Sequence, residues 1–275
     1  MNSRLNFYQN ELSKIRTRIY HSKGNGFYVF KNFLSSDELS KLRGFWLNKS
    51  VDDRFSSFIR NSDVTTRSPN YMYTKPNEGD RAYCCFLWNE PPCEVSHSLA
   101  FEIQLLRNTI EQRPIYNGLN GLHGQYLQYR LCNTVSSGQV VYPHGDFIEM
   151  GRSDPAANHA FDPSRLQATL LLSTQGEDYQ GEGFVMEDNQ GKPITFHGMG
   201  AVAGDLIVWR YGNLHQVRNV EVTQEQSGFC RIIYPTFELN PQQLYPEVKA
   251  AEEFEFIGTV NGDDIYLKSD GKGTK

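Results

Sequence analysis

Short apolar runs separated by Gly, Asn and Pro fill the sequence from Gly118 to Tyr234. Such runs have the length of β-strands, and the intervening residues favour turns. Candidate strands occupy residues 125–132, 139–143, 166–173, 183–187, 200–202, 206–209, 216–220 and 229–234. Many short strands in succession are typical of a β-sandwich or a jelly roll. The sequence therefore predicts a mainly β core.

Helical patterns flank this core. Residues 5–20 and 94–113 place apolar side chains at intervals of three and four, which predicts amphipathic helices. Ser35 followed by Glu38 predicts a capping box at the start of a helix that reaches Trp46. We expect flanking helices to pack against the β core.

One domain accounts for the whole chain in this interpretation. Residues 1–115 would form an N-terminal helical support region, residues 116–240 the jelly-roll core, and residues 241–275 a C-terminal hairpin and tail. Asn261-Gly262 is the turn of that hairpin.

Composition excludes several classes of protein. The chain has 27 basic and 32 acidic residues, so its net charge is negative and does not favour binding to nucleic acid. No run approaches the roughly 20 apolar residues of a membrane span, and the N-terminus lacks the apolar core of a signal peptide. The five cysteines show no C-x-x-C spacing, which favours reduced, buried thiols. We expect a soluble, cytoplasmic protein with no nucleic-acid or membrane partner.

A metal site is predicted by the motif YPHGD at residues 142–146. Alternate side chains of a strand share a face, so His144 and Asp146 would point the same way. His215, which follows the apolar run 206–209 and a turn, is the candidate third ligand. His197 is the alternative third ligand. It is less favoured because, unlike His215, it is not followed closely by a strand that contains a suitable arginine. Two His and one carboxylate form the facial triad of non-heme Fe(II) oxygenases, which leaves positions open for other ligands.

The ordered set YPHGD, GDLIVWRYGNLHQV and GFCRIIY resembles the Fe(II)/2-oxoglutarate-dependent dioxygenases. GQVVYPHGD, and LQATLLLS followed by GEGF, are similar to the prolyl-hydroxylase type. GFYVFKNFLSSDELSKLRGFW resembles the opening of that type and of the phytanoyl-CoA dioxygenase type. The match covers roughly residues 125–235. It implies a double-stranded β-helix (cupin-like jelly roll) in which His144, Asp146 and His215 bind Fe(II), with 2-oxoglutarate and O2 as cosubstrates.

The resemblance also implies a fixed cation for the far carboxylate of 2-oxoglutarate, and Arg231 is the candidate. A guanidinium matches a carboxylate in a bidentate fashion. Because Arg231 lies inside an apolar strand, where an unpaired charge is costly, a buried anion is its natural partner. It lies sixteen residues after His215, a wider spacing than in that family. Arg218 is the rival, but its strand parity relative to His215 predicts that it faces solvent.

Three further residues are candidates for contacts with 2-oxoglutarate: Asn133, Tyr129 and Thr169. Many relatives carry a Tyr where this chain has Val135. Asn133 coincides with an Asn of the nucleic-acid demethylase branch, and the alternative is a polar turn residue. Tyr129 and Thr169 are predicted to lie on neighbouring strands.

The function implied is oxidation of an unactivated C–H bond in a small molecule, such as an amino acid derivative or specialised metabolite, with release of succinate and CO2. Asp146 favours hydroxylation or a related oxidation over halogenation, because halogenases of this family have Gly or Ala in place of that carboxylate. The alternatives are a protein or peptide side-chain hydroxylase, and a non-catalytic cupin-like binding protein. A closed pocket under residues 50–93 would favour the small molecule, and a broad groove the peptide.

Overall fold

The structure of the protein is a computed structural model. It describes residues 10–60, 63–74, 80–119, 125–135, 141–145, 165–238, 254–260 and 263–268. The α-helices of this part are α1 (Leu12–Tyr20), α2 (Ser36–Trp46) and α3 (Glu94–Glu111), and a 3-10 helix (Lys49–Arg54) follows α2. None of the helices described is long and apolar enough to cross a membrane.

Fourteen strands are found in the same part of the chain. They are β1 (Phe27–Phe30), β2 (Tyr71–Thr74), β3 (Arg81–Phe86), β4 (Gln125–Thr134), β5 (Val141–His144), β6 (Leu166–Leu171), β7 (Gln180–Glu187), β8 (Pro193–Thr195), β9 (Leu206–Arg210), β10 (His215–Glu221), β11 (Phe229–Ile233), β12 (Thr236–Glu238), β13 (Phe254–Val260) and β14 (Asp263–Lys268).

Two antiparallel sheets form the core. The main sheet has the order β1-β9-β6-β11-β4-β3-β2, with β12 also paired to β4, and the small sheet has the order β5-β10-β7-β8. Strands that neighbour each other in space are mostly distant in sequence, which is the connectivity of a jelly roll. The predicted fold class, mainly β with flanking helices and a jelly-roll core, is confirmed. β13 and β14 pair as the predicted hairpin.

Strand parity divides the main sheet into a helix-facing side and an inner side. On β6, Ala168 and Leu170 belong to the apolar cluster that includes side chains of α1, α2 and α3. Leu171 belongs instead to a second cluster, shared with Phe184 of β7 and Val217 of β10. Because alternate residues point to opposite faces, the main sheet is buried on both sides. The inner side faces the small sheet.

The helix predictions agree with the structure where it describes them. The Ser35 hydroxyl accepts a hydrogen bond from the Glu38 amide at 3.2 Å, and the Ser35 amide donates to the Glu38 carboxylate at 2.8 Å, which completes the capping box. α3 ends at Glu111 because Gln112 turns into the left-handed region at φ 60°. The first part of the predicted helix 5–20, residues 5–9, and the tail beyond residue 268 lie outside the described residues.

The predicted strand at residues 200–202 is wrong. Gly200 and Gly204 adopt φ of 73° and 93°, so this stretch forms turns, and the strand of the region is β8. The sequence reading also missed β2 and β3, which lie within the polar segment 50–93. These two strands depend on pairing with each other and with β4, which no local pattern reveals.

Gly181 permits the close approach of β7 to β10. Its φ is 92°, and a Cβ built on it would lie 1.7 Å from the Asn219 carbonyl oxygen. A side chain at this position would therefore separate the two strands that carry Phe184 and His215.

We expect Gly181→Ala to lower the free energy of unfolding by about 2 kcal/mol or more, from backbone strain and the clash with β10. The matched control is Gly176→Ala, because Gly176 has a similar φ of 89° but nothing within 4 Å of an added Cβ. Urea unfolding of both variants gives the measurement. Equal losses in the two would mean that only the backbone conformation matters.

Candidate active site

The pairing of β5 with β10 brings His144 directly opposite His215. The two ring centroids are 4.3 Å apart, and the ring planes are tilted by 54°. Both histidines were predicted as metal ligands, and they come from segments separated by 71 positions in the sequence. The structure therefore places two imidazoles close enough to share one metal ion.

Each imidazole is oriented by a backbone carbonyl two residues earlier. Nδ1 of His144 lies 2.7 Å from the Tyr142 carbonyl oxygen, and Nδ1 of His215 lies 3.0 Å from the Asn213 carbonyl oxygen. A proton on Nδ1 makes each contact a hydrogen bond and leaves the lone pair on Nε2. Metal-binding histidines are held in this way, with one ring nitrogen donating to a carbonyl and the other directed at the ion.

The third predicted ligand, Asp146, lies outside the described residues. Within the described ranges, no group of three or more His, Cys, Asp or Glu side chains could hold a metal ion. The competing histidine His197 lies in the turns that follow β8. The described donor set is thus a pair of imidazoles, and such nitrogen donors fit Fe(II).

Aromatic rings surround His215 on the inner side. Trp209 meets it edge-on at 4.6 Å between centroids, and Phe184 stacks on it at 5.6 Å and 26°. His215 is only 8 % exposed. This apolar shell limits the access of water to the imidazole and lowers the local dielectric, which strengthens electrostatic interactions there.

Arg231 lies on the same inner side and contacts the same group of aromatic rings. Its guanidinium carbon is 5.4 Å from the Phe184 ring centroid and 4.7 Å from that of Phe229. Phe184 therefore contacts both His215 and Arg231. Nε and Nη1 of Arg231 are buried, and neither has a hydrogen-bond partner in the described part of the chain.

Burial lowers the pKa of the Arg231 guanidinium, and the thiol of its cross-strand partner Cys132 opposes this shift. An arginine remains charged even so. A buried charge with two unsatisfied donors is costly, and a carboxylate placed on it removes that cost. This environment fits the predicted role of Arg231 toward the far carboxylate of 2-oxoglutarate.

The sequence reading missed Tyr179. Its ring lies 5.0 Å from that of Phe229, the ring that Arg231 also contacts, and the side chain is 3 % exposed. Burial raises the pKa of Tyr179 to about 12, and the charge of Arg231 opposes the shift. The hydroxyl is therefore protonated at neutral pH and is a hydrogen-bond donor. Tyr179 precedes β7 in a turn, where strand periodicity gave no signal.

The remaining candidates fall on different sides of the main sheet. Thr169 lies on the inner side, where its hydroxyl is 3.4 Å from Nε1 of Trp209. Tyr129 is buried on the helix-facing side, in the cluster that contains α3 residues. Asn133 stands directly opposite Cys230, which belongs to that same cluster. Tyr129 and Asn133 therefore lie on the opposite side of the main sheet from Arg231. The proposed site does not include them.

Asn133 has a structural partner instead. Its side-chain amide donates to the Ser227 carbonyl at 3.0 Å, which fastens the turn before β11. Its amide is thus used structurally, but Asn133 lies within strand β4 and not in the turn that the alternative expected. Arg218, the rival of Arg231, has a side chain 41 % exposed and paired with Glu182 at 3.5 Å. It faces solvent, as its parity predicted.

No protein-family model and no curated protein matches the chain. Solved structures do. The chain is similar to a prolyl-4-hydroxylase from Pseudomonas putida with a TM-score of 0.51 and 15 % identity, over 83 % of this chain and 100 % of that one. A prolyl hydroxylase from Trichoplax adhaerens, solved with a hypoxia inducible factor peptide fragment, gives 0.49 and 14 %, over 88 % and 96 %.

A third similar structure is the epimerase SnoN in complex with Fe3+, alpha ketoglutarate and nogalamycin RO, with a TM-score of 0.48 and 11 % identity, over 95 % of this chain and 97 % of that one. At these identities the likeness concerns the fold. The chain has the double-stranded β-helix fold of the Fe(II)/2-oxoglutarate oxygenases, so the predicted resemblance is confirmed at that level.

The unsatisfied guanidinium predicts an unusual effect on stability. In the metal-free and 2-oxoglutarate-free protein, Arg231→Met should raise the free energy of unfolding by about 1 kcal/mol or more, because an apolar side chain replaces a buried charge. Denaturant unfolding is the measurement.

The control is Arg107→Met, on the helix-facing side. Arg107 is 2 % exposed and donates to the Tyr234 carbonyl at 2.6 Å and to the side-chain oxygen of Gln104. Its loss leaves those acceptors unsatisfied and should destabilise the protein by about 3 kcal/mol. Equal destabilisation of the two variants would contradict the environment assigned to Arg231.

Proposed function

We propose that this protein is a non-heme Fe(II)- and 2-oxoglutarate-dependent oxygenase that oxidises a C–H bond of a small molecule and releases succinate and CO2. The observation that supports this most is that one aromatic ring, Phe184, contacts both a histidine of the facing imidazole pair and a buried guanidinium. A diacid that binds a metal at one end and a cation at the other fits this arrangement. The fold is that of oxygenases which use such a diacid.

In this proposal His144, His215 and Asp146 hold Fe(II), which supplies the activation of O2 when bound. The carbonyls of Tyr142 and Asn213 keep the two imidazoles in the required tautomer and orientation. Arg231 binds the far carboxylate of 2-oxoglutarate through its two buried donors, and Tyr179 adds a hydroxyl. Trp209, whose indole is held near Thr169, excludes water from the metal side of the site.

A small substrate is supported by the segment that precedes β2. Val64 and Tyr71 form a buried cluster with Phe86 on the inner side of β2 and β3. Part of the segment 50–93 is thus folded over the inner side of the main sheet rather than away from it. That covering favours a closed pocket over an open groove.

The first functional test removes the proposed ligands. His144→Ala and His215→Ala should lose iron binding and 2-oxoglutarate-dependent release of succinate. Arg231→Met should retain iron but need at least about 30-fold more 2-oxoglutarate, because it loses a buried charge-assisted contact. Bound iron and succinate are measured in each variant.

Arg218→Met is the matched control, since it removes an equal charge from the exposed face of the small sheet. It should leave the 2-oxoglutarate dependence unchanged. A wild-type protein that binds neither iron nor 2-oxoglutarate would favour the cupin-like binding protein instead. Succinate release stimulated only by peptides would favour a side-chain hydroxylase.

Tyr179 gives a second, independent test. Tyr179→Phe keeps the packing on Phe229 but removes the donor, so the 2-oxoglutarate concentration at half-saturation should rise about tenfold. Tyr234→Phe is the control, because Tyr234 is a buried tyrosine on the helix-facing side. If both variants bind 2-oxoglutarate like the wild type, Tyr179 has only a packing role.

A further inference from the structure

A cavity lies outside the proposed active site, at the C-terminal end of α1 and in the loop that joins α1 to β1. Its volume is about 340 Å3. This value falls within the range of cavities that bind small ligands, about 300–1,000 Å3. The residues that line it are Thr17, Arg18, His21, Lys23, Gly24 and Asn25. We call it the basic cavity.

The charge of this region is opposite in sign to that of the whole chain. The chain has a net charge of −5, whereas residues 11–26 contain four basic residues and one acidic residue. The acidic residue, Glu11, is paired with Lys14 at 3.4 Å. Arg18 lies over the Tyr28 ring at 5.8 Å, and neither Arg18 nor Lys23 forms an ion pair with a described carboxylate. The basic cavity therefore keeps two positive charges that the described chain does not neutralise.

The backbone at the end of α1 does not cancel this charge. The last carbonyls of a helix carry partial negative charge, which would repel an anion if they were free. Here the Arg18 carbonyl accepts a hydrogen bond from the Gly26 amide at 3.2 Å. The carbonyls of Ile19 and His21 accept hydrogen bonds from the side-chain amide of Asn189 at 2.9 and 3.0 Å. These acceptors are satisfied within the protein, so the basic side chains dominate the charge of the cavity.

The loop that closes the basic cavity is fixed to the β core. Nη1 of Arg210, at the end of β9, donates to the side-chain oxygen of Asn189 at 3.1 Å, so Asn189 connects α1 to the main sheet. Gly26 packs closely against the same side chain, because a Cβ built on Gly26 would lie 2.7 Å from that oxygen. A cavity whose wall is already ordered loses less conformational entropy when a ligand binds.

His21 is a hydrogen-bond donor even when its ring is neutral. The Lys23 amide donates to Nδ1 of His21 at 3.1 Å. Nδ1 therefore carries the lone pair, and the proton of the neutral imidazole is on Nε2. The side chains of Arg18, His21 and Lys23 thus supply a guanidinium, an imidazole N–H and an ammonium to one cavity. All three groups are donors that suit an oxyanion.

We propose that the basic cavity binds the phosphate group of a small molecule. A phosphate group has three strong acceptor oxygens, which matches three donor side chains better than the two oxygens of a carboxylate do. Charge-assisted hydrogen bonds from arginine and lysine are about twice as strong as neutral ones. The cavity is larger than a phosphate ion, so a phosphate monoester fits it better than free phosphate. This proposal does not rest on the proposed function.

The test is calorimetric titration of the full-length protein with glucose 6-phosphate, inorganic phosphate and glucose. The wild type should bind glucose 6-phosphate at least tenfold more tightly than glucose. Tighter binding of the ester than of inorganic phosphate identifies a monoester site, and equal binding identifies a site for free phosphate. Arg18→Met and Lys23→Met should each weaken the binding of glucose 6-phosphate about tenfold, because each removes a charge-assisted contact. Both side chains are exposed, so the variants keep the fold.

Lys14→Met is the matched control, because it removes an equal charge one turn earlier on α1, outside the lining of the cavity. Its partner Glu11 retains a hydrogen bond from the Tyr28 hydroxyl at 3.2 Å. The control should weaken the binding less than about twofold. Equal losses in Lys14→Met and Arg18→Met would indicate a diffuse basic surface and overturn the site.

Arg231→Met separates the basic cavity from the proposed active site. It should bind glucose 6-phosphate like the wild type. Loss of binding in Arg231→Met but not in Arg18→Met would place the phosphate in the proposed active site and overturn the second site. Absence of glucose 6-phosphate binding by the wild type would overturn it as well. Neither result affects the iron and succinate measurements that test the proposed function.

Discussion

Antiparallel pairing of β10 with both β5 and β7 is the constraint on which the candidate site depends. On one edge it sets His215 opposite His144, and on the other it sets Val217 opposite Phe184, so that the Phe184 ring reaches His215. The left-handed Gly181 lets β7 come close enough for this pairing. A slip of one residue in β10 would turn His215 to the outer face. Register, rather than any single contact, brings the two histidines together.

The two sides of the main sheet have different roles. The helix-facing side contains the large apolar cluster, which supplies much of the burial that stabilises a domain of this size. Even its buried arginine, Arg107, has its donors bonded to protein acceptors. On the inner side, Arg231 keeps buried donors with no partner among the described residues. Such a buried charge lowers the stability of the folded protein. The apolar burial on the helix-facing side offsets that cost.

Much of this was predictable from the sequence because it is local. Short apolar runs between turn residues located most strands, the Ser35 capping box located α2, and parity placed Arg218 on the exposed face. What the sequence could not reveal depends on contacts between distant segments. Tyr129 is an attractive candidate until the helices are seen to cover its side of β4. Tyr179 precedes β7, and only the folded chain brings its ring against Phe229, which Arg231 also contacts.

A jelly roll with an apolar interior would be easier to stabilise than one with guanidinium and amide groups inside. Arg231, Gln167, Gln128 and Arg130 nevertheless lie on the inner side of the main sheet. Among the described residues, two buried donors of Arg231 have no hydrogen-bond partner. A ligand without oxygens for those donors would leave them unsatisfied, and this discriminates between ligands more strongly than apolar contact does.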